Sequence, residues 1–84
     1  MADILIYTKT GCPYCARAKQ LLESKYASYE EIDILEQPDK KAEMISKADG
    51  RASVPQIFID GAHVGGRDDL QAMDEAGKLD ALLN

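Results

Sequence analysis

Short apolar runs alternate with amphipathic stretches along this chain, and the alternation predicts a series of small strands and helices. Residues 3–8 form a short run rich in Ile, Leu and Tyr, which is typical of a buried strand. Apolar positions then recur at helical spacing from about residue 13 to residue 24 or 25, with Pro13 suited to the first turn. Residues 29–34 alternate polar and apolar positions, which predicts a half-buried strand.

A second helix is predicted to start at residues 37–38 and to end near Ala48, with Gly50 as its C-terminal cap. Its apolar stripe is predicted to comprise Ala42, Ile45 and Ala48.

The second half of the chain carries a hairpin signal. Residues 57–59 form a strongly apolar strand, the turn pair Asp60-Gly61 follows, and residues 62–64 are the expected partner strand. Asp68 is expected at the N-cap or in the first turn of a third helix, which Gly77 closes. A short terminal helix is expected to pack back on the domain through its leucines, Leu79, Leu82 and Leu83.

The predicted order of elements is β-α-β-α-β-β-α, with a further short helix at the end. The first β-α-β unit should be right-handed with parallel strands, whereas the hairpin is antiparallel. We therefore expect an α/β fold in one domain over residues 1–84, with a small mixed sheet and helices on both faces.

Composition and charge narrow the possible functions. The net charge of −5 argues against nucleic-acid binding. No apolar run approaches the roughly 20 residues that span a bilayer, so no membrane association is expected. The start of the sequence lacks the basic and apolar regions of a signal peptide, and we expect a cytoplasmic protein. Lasting structural disulfides are rare in that compartment.

The only two cysteines, Cys12 and Cys15, lie three residues apart at the junction between the first predicted strand and the first predicted helix. In a reducing compartment this spacing is typical of a redox pair. Unpaired N–H groups and the helix dipole stabilise a thiolate at Cys12, and Lys9 adds a nearby cation. Cys15 should be more buried, with fewer N–H groups near it. Cys12 is therefore expected to attack and Cys15 to resolve.

Two other interpretations of the cysteines are weaker. They could be buried hydrophobic residues, or half of a metal site. A zinc site needs about four ligands, and His63 is the only other soft ligand, so we expect no metal. His63 itself is expected to be a strand residue without a catalytic part.

Further motifs each allow two interpretations. Val54-Pro55 precedes a strand and is either an ordinary loop or a cis bond that exposes backbone for strand addition. The loop from Gly65 to Asp69 either caps a helix or also binds a free α-amino acid end. Tyr14 could pack beside the Cys12 sulfur or belong to the core. Four basic residues, Lys9, Arg17, Lys19 and Arg67, could make the surface around the cysteines basic. For Arg17 and Lys19, scattered solvated charge is an equally good explanation.

Three motifs appear in one order: residues 8–15 (Thr-Lys-Thr-Gly-Cys-Pro-Tyr-Cys), 53–59 (Ser-Val-Pro-Gln-Ile-Phe-Ile) and 65–70 (Gly-Gly-Arg-Asp-Asp-Leu). Over almost its whole length the chain resembles the glutaredoxins, in particular the small bacterial dithiol type. The resemblance implies a thioredoxin-like fold with a four-stranded mixed sheet and three to four helices. It also implies a glutathione-dependent disulfide oxidoreductase that is a monomer.

The resemblance also assigns roles to residues. Cys12 would be the nucleophile and Cys15 the resolving thiol. Glutathione, as co-substrate, would bind in a groove formed by Lys9, Tyr14, Val54, the cis-proline Pro55 and the loop residues Gly66, Arg67 and Asp68. Asp68 would reach the α-amino group of the bound glutathione. Ser53 stands where the family usually has Thr, and Arg67 where many members have a third cysteine, so a regulatory thiol is absent there.

The substrates expected from the resemblance are protein disulfides and glutathionylated proteins, with ribonucleotide reductase or a sulfate-assimilation reductase among the candidates. Two alternative functions stay open. One is a thioredoxin-like electron donor served by a flavoenzyme reductase, against which the Gly65-to-Asp69 loop argues. The other is an iron–sulfur carrier shared by two protomers, for which a dithiol motif is a poorer candidate.

Overall fold

A computed structural model describes residues 3–83 of the chain. It contains four strands and four helices in the predicted order. In chain order the elements are β1 (Ile4–Thr8), α1 (Pro13–Ser24), β2 (Glu30–Asp33), α2 (Lys40–Lys47), β3 (Gln56–Ile59), β4 (Ala62–Gly65), α3 (Arg67–Glu75) and α4 (Lys78–Leu83). Among these residues no helix is long and apolar enough to cross a membrane.

The four strands form one mixed sheet in the order β2-β1-β3-β4. β1 pairs with β2 in parallel and with β3 in antiparallel orientation, and β3 and β4 form the antiparallel hairpin. Asp60 and Gly61 both have positive φ, 52° and 83°, as the predicted tight turn requires. The predicted α/β class and four-stranded mixed sheet are therefore confirmed.

Alternating side chains of β1 point to two separate cores. Ile4 and Ile6 face α1, α3 and α4, where they pack with Leu22 and Leu70. Tyr7 faces the other side of the sheet and packs under α2 with Phe58, Ile32, Ile34 and Met44. Helices thus cover both faces, as expected, and the C-terminal end of β1 emerges between the two layers.

The second helix differs from its prediction at its start and in its buried face. α2 begins at Lys40 rather than at residues 37–38, which form a loop and a turn. Met44 and Ala48 are fully buried, four residues apart on one face, whereas the predicted stripe residue Ala42 is exposed. The prediction of Ala42 was wrong because the helix turns its longer apolar side chain, Met44, toward Tyr7 and Phe58.

Candidate active site

Cys12 lies at the junction between β1 and α1. It is the N-cap residue of α1, in an extended conformation, and Pro13 occupies the first turn. The Cys12 sulfur accepts a hydrogen bond from the backbone N–H of Cys15 over 3.3 Å. The sulfur therefore meets one of the unpaired amide donors at the helix start, which is the arrangement that stabilises a thiolate.

The two cysteines have different surroundings. Cys12 is half-buried, whereas Cys15 is 2% exposed. Burial, together with its hydrogen bond to Cys12, raises the pKa of the Cys15 thiol to about 12. The expected difference in burial is present: an accessible sulfur lies in front of a buried one that keeps its proton at neutral pH.

The segment before β3 lies directly beside Cys12. The Val54–Pro55 bond is cis, so of the two interpretations of this motif the cis form is present. The carbonyl oxygen of Val54 lies 4.0 Å from the Cys12 sulfur. Val54 precedes the first paired residue of β3, Gln56, so its backbone is outside the sheet pairing and lies next to the reactive sulfur.

Gly66 brings the next loop against this segment. A Cβ placed on Gly66 would lie 3.3 Å from the carbonyl oxygen of Pro55, so the two backbones pack closely. Gly66 is the N-cap of α3, and Arg67 and Asp68 form its first turn. The Arg67 guanidinium contacts the exposed Asp68 carboxylate at 2.9 Å.

The carboxylate that caps α3 belongs to Asp69. Its Oδ2 accepts the Gly66 N–H at 2.9 Å and pairs with Arg51 at 3.2 Å. The Gly66 N–H first, and Arg51 after it, hold the pKa of Asp69 below its usual value. The prediction of Asp68 as the N-cap was wrong, whereas its place in the first turn is confirmed. The three-residue spacing from Gly66 to Asp69, at which an acidic side chain can reach back to the N-cap N–H, was the available signal.

Lys9 and Tyr14 complete the set of residues predicted around the pair. The Lys9 carbonyl accepts the Cys12 N–H at 3.1 Å, and its side chain is exposed. Tyr14 is 52% exposed, with the Arg17 guanidinium 5.8 Å from its ring centroid. The interpretation of Tyr14 as a core residue was therefore wrong.

These contacts link several predicted residues to the reactive sulfur. Cys12 meets Val54, whose neighbour Pro55 packs on Gly66, and Arg67 and Asp68 follow along the chain. Within residues 3–83 no hydrogen bond or ion pair joins Arg67 or Asp68 directly to Cys12.

A cleft of about 490 Å³ opens beside the cysteines on the β2 side. Sequence reasoning gave Glu31 and Asp33 no role, although their alternate positions on β2 were a signal that they share a face. The cleft is lined by Lys9, Thr10, Gly11, Cys12, Pro13, Cys15, Ala16, Lys19, Glu31 and Asp33. A larger cavity of about 740 Å³ lies beside the start of β1 and the hairpin turn, and neither cysteine lines it.

The remaining soft ligand, His63, lies on β4 and takes part in a separate contact. Its Nε2 lies 2.7 Å from the Gln56 side-chain oxygen, and the Gln56 amide donates to Ser53. In the part of the chain that the structure describes, no group of three or more His, Cys, Asp or Glu residues is arranged to hold a metal ion.

Comparison with known proteins gives consistent results. The glutaredoxin family model matches residues 4–64. Glutaredoxin 3 of Escherichia coli K12 is 57% identical over 83 residues, covering 99% of both chains. A glutaredoxin of Pseudomonas aeruginosa is 52% identical over 84 residues, covering 100% of this chain and 99% of the relative.

Solved structures agree with the sequence comparisons. The solution structure of a glutaredoxin from Brucella melitensis matches with a TM-score of 0.85 at 55% identity, over 99% of this chain and 89% of that one. A buckwheat glutaredoxin–glutathione complex matches with a TM-score of 0.89 at 32% identity, over 98% of this chain and 76% of that one.

The fold and the unequal cysteine pair define a thiol–disulfide oxidoreductase with a thioredoxin-like fold. The family match covers well over half of the chain, and the relatives cover nearly all of it. The chain belongs to the glutaredoxin family.

Proposed function

We propose that this chain is a glutathione-dependent, cytoplasmic disulfide oxidoreductase that acts as a monomer on glutathionylated proteins and protein disulfides, with ribonucleotide reductase as one candidate substrate. The observation that carries the proposal is the accessible Cys12 sulfur, capped by the Cys15 N–H and flanked by the Val54 carbonyl. The buckwheat relative, solved as a glutathione complex, supports glutathione as the co-substrate.

Cys12 is the proposed nucleophile. Its thiolate attacks the glutathione sulfur of a glutathionylated substrate, forming a Cys12–glutathione disulfide and releasing the substrate thiolate. A second glutathione thiolate then attacks the glutathione sulfur of that disulfide, which releases glutathione disulfide and returns the Cys12 thiolate. Because the hydrogen bond from the Cys15 N–H strengthens as negative charge returns to Cys12, the backbone favours Cys12 as the leaving group.

Cys15 serves only the dithiol route. When the substrate is a protein disulfide, Cys12 forms a mixed disulfide with it. The Cys15 thiol then loses its proton and attacks the Cys12 sulfur, forming the Cys12–Cys15 disulfide and releasing the substrate as a thiolate. The three-residue spacing on one helix turn places the two sulfurs on the same side.

The proposed glutathione groove runs from Val54 toward the start of α3. The backbone of Val54, outside the sheet pairing, is suited to strand addition with the cysteinyl part of the tripeptide. Gly66 and Arg67 would bind the γ-glutamyl carboxylate, and the exposed carboxylate of Asp68 its α-amino group. Lys9 and Tyr14, both exposed, and the buried Pro55 would complete the walls of the groove.

A coupled assay tests the proposal. Reduction of a mixed disulfide of glutathione and cysteine is followed through glutathione reductase and NADPH oxidation, with thioredoxin reductase as the competing electron donor. Wild type should turn over with glutathione only. Cys12→Ser should lower the rate to background, and Cys15→Ser should keep this activity while losing reduction of a protein disulfide. Equal losses in both variants, or turnover with thioredoxin reductase alone, would contradict the proposal.

A further inference from the structure

Lys19 stands in a position that the family assignment does not explain. It lies on α1 four residues after Cys15, and residues at this spacing are neighbours on a helix surface. Lys19 and Cys15 also line the same cleft on the β2 side of Cys12. The ammonium therefore lies on the side from which solvent reaches the buried thiol.

The Lys19 side chain is held in place across the gap between α1 and β2. Its Nζ lies 3.0 Å from the Glu31 carboxylate, and the same Glu31 oxygen accepts the Thr8 hydroxyl at 2.7 Å. Thr8 is 1% exposed, so its hydroxyl is a fixed donor within the sheet. A lysine side chain is otherwise flexible, and this arrangement restrains the ammonium near the cysteine pair.

The charged residues that line the cleft beside Cys15 come from two elements and a loop. Lys9 lies in the loop after β1, Lys19 belongs to α1, and Glu31 and Asp33 belong to β2. Burial is the main factor that raises the pKa of Cys15, and Cys12 raises it further, whereas the Lys9 backbone and the Lys19 charge lower it.

The contribution from Cys12 is absent when Cys15 has to react. In the mixed disulfide, Cys12 has formed a covalent bond and carries no negative charge. Burial then still opposes ionisation of Cys15, the negative charge of Cys12 no longer adds to it, and the charge of Lys19 acts in the opposite direction.

We propose that Lys19, held by the Glu31 carboxylate to which Thr8 also donates, is a positioning residue for the resolving step, where its charge favours the Cys15 thiolate that attacks the Cys12 mixed disulfide. The proton leaves Cys15 for solvent through the cleft, the Cys15 sulfur bonds to the Cys12 sulfur, and the substrate leaves as a thiolate. The inference rests on the dithiol route of the proposed function. It predicts that Lys19 matters for that route and not for deglutathionylation.

A stopped-flow experiment without glutathione isolates the step. Reduced enzyme attacks excess dithiobisnitrobenzoate and releases coloured thionitrobenzoate twice. The first release, by Cys12, depends on reagent concentration. The second, by Cys15, does not, and Cys15→Ser removes this concentration-independent phase. In Lys19→Met the second phase should slow roughly fivefold, and its pH profile should move up by roughly 0.7 of a pH unit.

Two further variants separate charge from structure. Lys19→Arg keeps the charge and should restore the second phase to within about twofold of wild type. Lys41→Met removes an exposed lysine from α2, which packs on the other face of the sheet, and should change neither phase. An unchanged second phase in Lys19→Met, or equal slowing of both phases, overturns the inference. Failure of the proposed function appears separately, as a wild type that shows both phases but no turnover with glutathione.

Discussion

The backbone N–H of Cys15 donates a hydrogen bond to the sulfur of Cys12 over 3.3 Å, so the two residues are linked before any disulfide forms. This contact stabilises negative charge on the half-buried Cys12. Separately, burial and the neighbouring Cys12 side chain raise the pKa of the Cys15 thiol to about 12. A pair that is symmetric in sequence is therefore chemically unequal.

This inequality should appear in alkylation. Iodoacetamide at pH 7 should modify Cys12 first, with Cys15 at least about a hundredfold slower because it is buried and protonated. Peptide mass mapping of the fully reduced protein measures both rates. Cys12→Ser should make the folded protein nearly inert, and denaturant should expose Cys15. Comparable labelling of the two sites in the folded protein would contradict the prediction.

The raised pKa of Cys15 also predicts an alkaline loss of stability. The folded pKa, about 12, lies above the reference value of 9.0, so the folded state holds the proton more tightly. Its contribution to stability is complete below pH 9 and decreases as pH rises toward 12. Cys15→Ser does not titrate there. The free energy of unfolding of wild type should thus fall relative to that of Cys15→Ser between pH 8 and pH 10.5, and a constant difference would refute this.

Asp68 and Asp69 are adjacent, but neutralising each side chain should affect a different property: glutathione binding for Asp68 and stability for Asp69. Asp69→Asn should lower the free energy of unfolding by about 0.5–1 kcal/mol at pH 7, because Asp69 accepts from Gly66 and pairs with Arg51. Asp68→Asn should leave stability unchanged and raise the KM for glutathione. Denaturant titrations and steady-state kinetics on both variants test this, and destabilisation by Asp68→Asn would reverse the assignment.

Acid should remove the contribution of Asp69. Its folded pKa is lowered below the reference value of 3.8, so its stabilising effect is present above that value and is lost as pH falls through the folded pKa. The difference between wild type and Asp69→Asn should therefore shrink to zero at low pH. A difference that persists in acid would indicate that packing, and not charge, is responsible.

Gly65 should be less replaceable than Gly50. Both have positive φ, 123° and 91°, so alanine at either position costs about 1–2 kcal/mol in backbone strain. A Cβ at Gly65 would also lie 2.2 Å from the Asp69 carboxylate, whereas nothing lies within 4 Å at Gly50. Gly65→Ala should therefore lower the free energy of unfolding by about 1–3 kcal/mol more than Gly50→Ala does. Thermal or denaturant unfolding of the two variants measures this difference. Equal losses of stability in the two variants would mean that the loop around Gly65 shifts freely and the prediction is wrong.

The buried face of α2 can be tested in the same manner. Met44 is fully buried against Tyr7 and Phe58, so Met44→Ala should cost about 2–4 kcal/mol. Ala42→Ser, at the exposed position that the sequence pattern placed in the stripe, should change stability by less than about 0.5 kcal/mol. Denaturant unfolding of the two variants decides between the predicted and the observed face.

Strong local signals account for what could be predicted from the sequence. The short apolar run of β1, the Asp60-Gly61 turn and the cysteine spacing each depend on neighbouring residues alone, and each element is present. Met44 and Asp69 were missed for a different reason. Several apolar residues of α2 could have formed its buried face, and contact with Tyr7 selected Met44. Likewise, two adjacent aspartates could have capped α3, and the one that pairs with Arg51 is Asp69.

The sequence by itself determined the order of the elements, the position of the redox pair at a helix start and the family resemblance, because periodicity and motif spacing are local properties. Tertiary structure alone decided how deeply Cys15 is buried, that the Val54 carbonyl lies 4.0 Å from the Cys12 sulfur, and that Glu31 restrains Lys19. These features join residues 12 to 42 positions apart in the chain. The pairing of β1 with β2 on one side and β3 on the other brings these distant segments to the two sides of the cysteine pair.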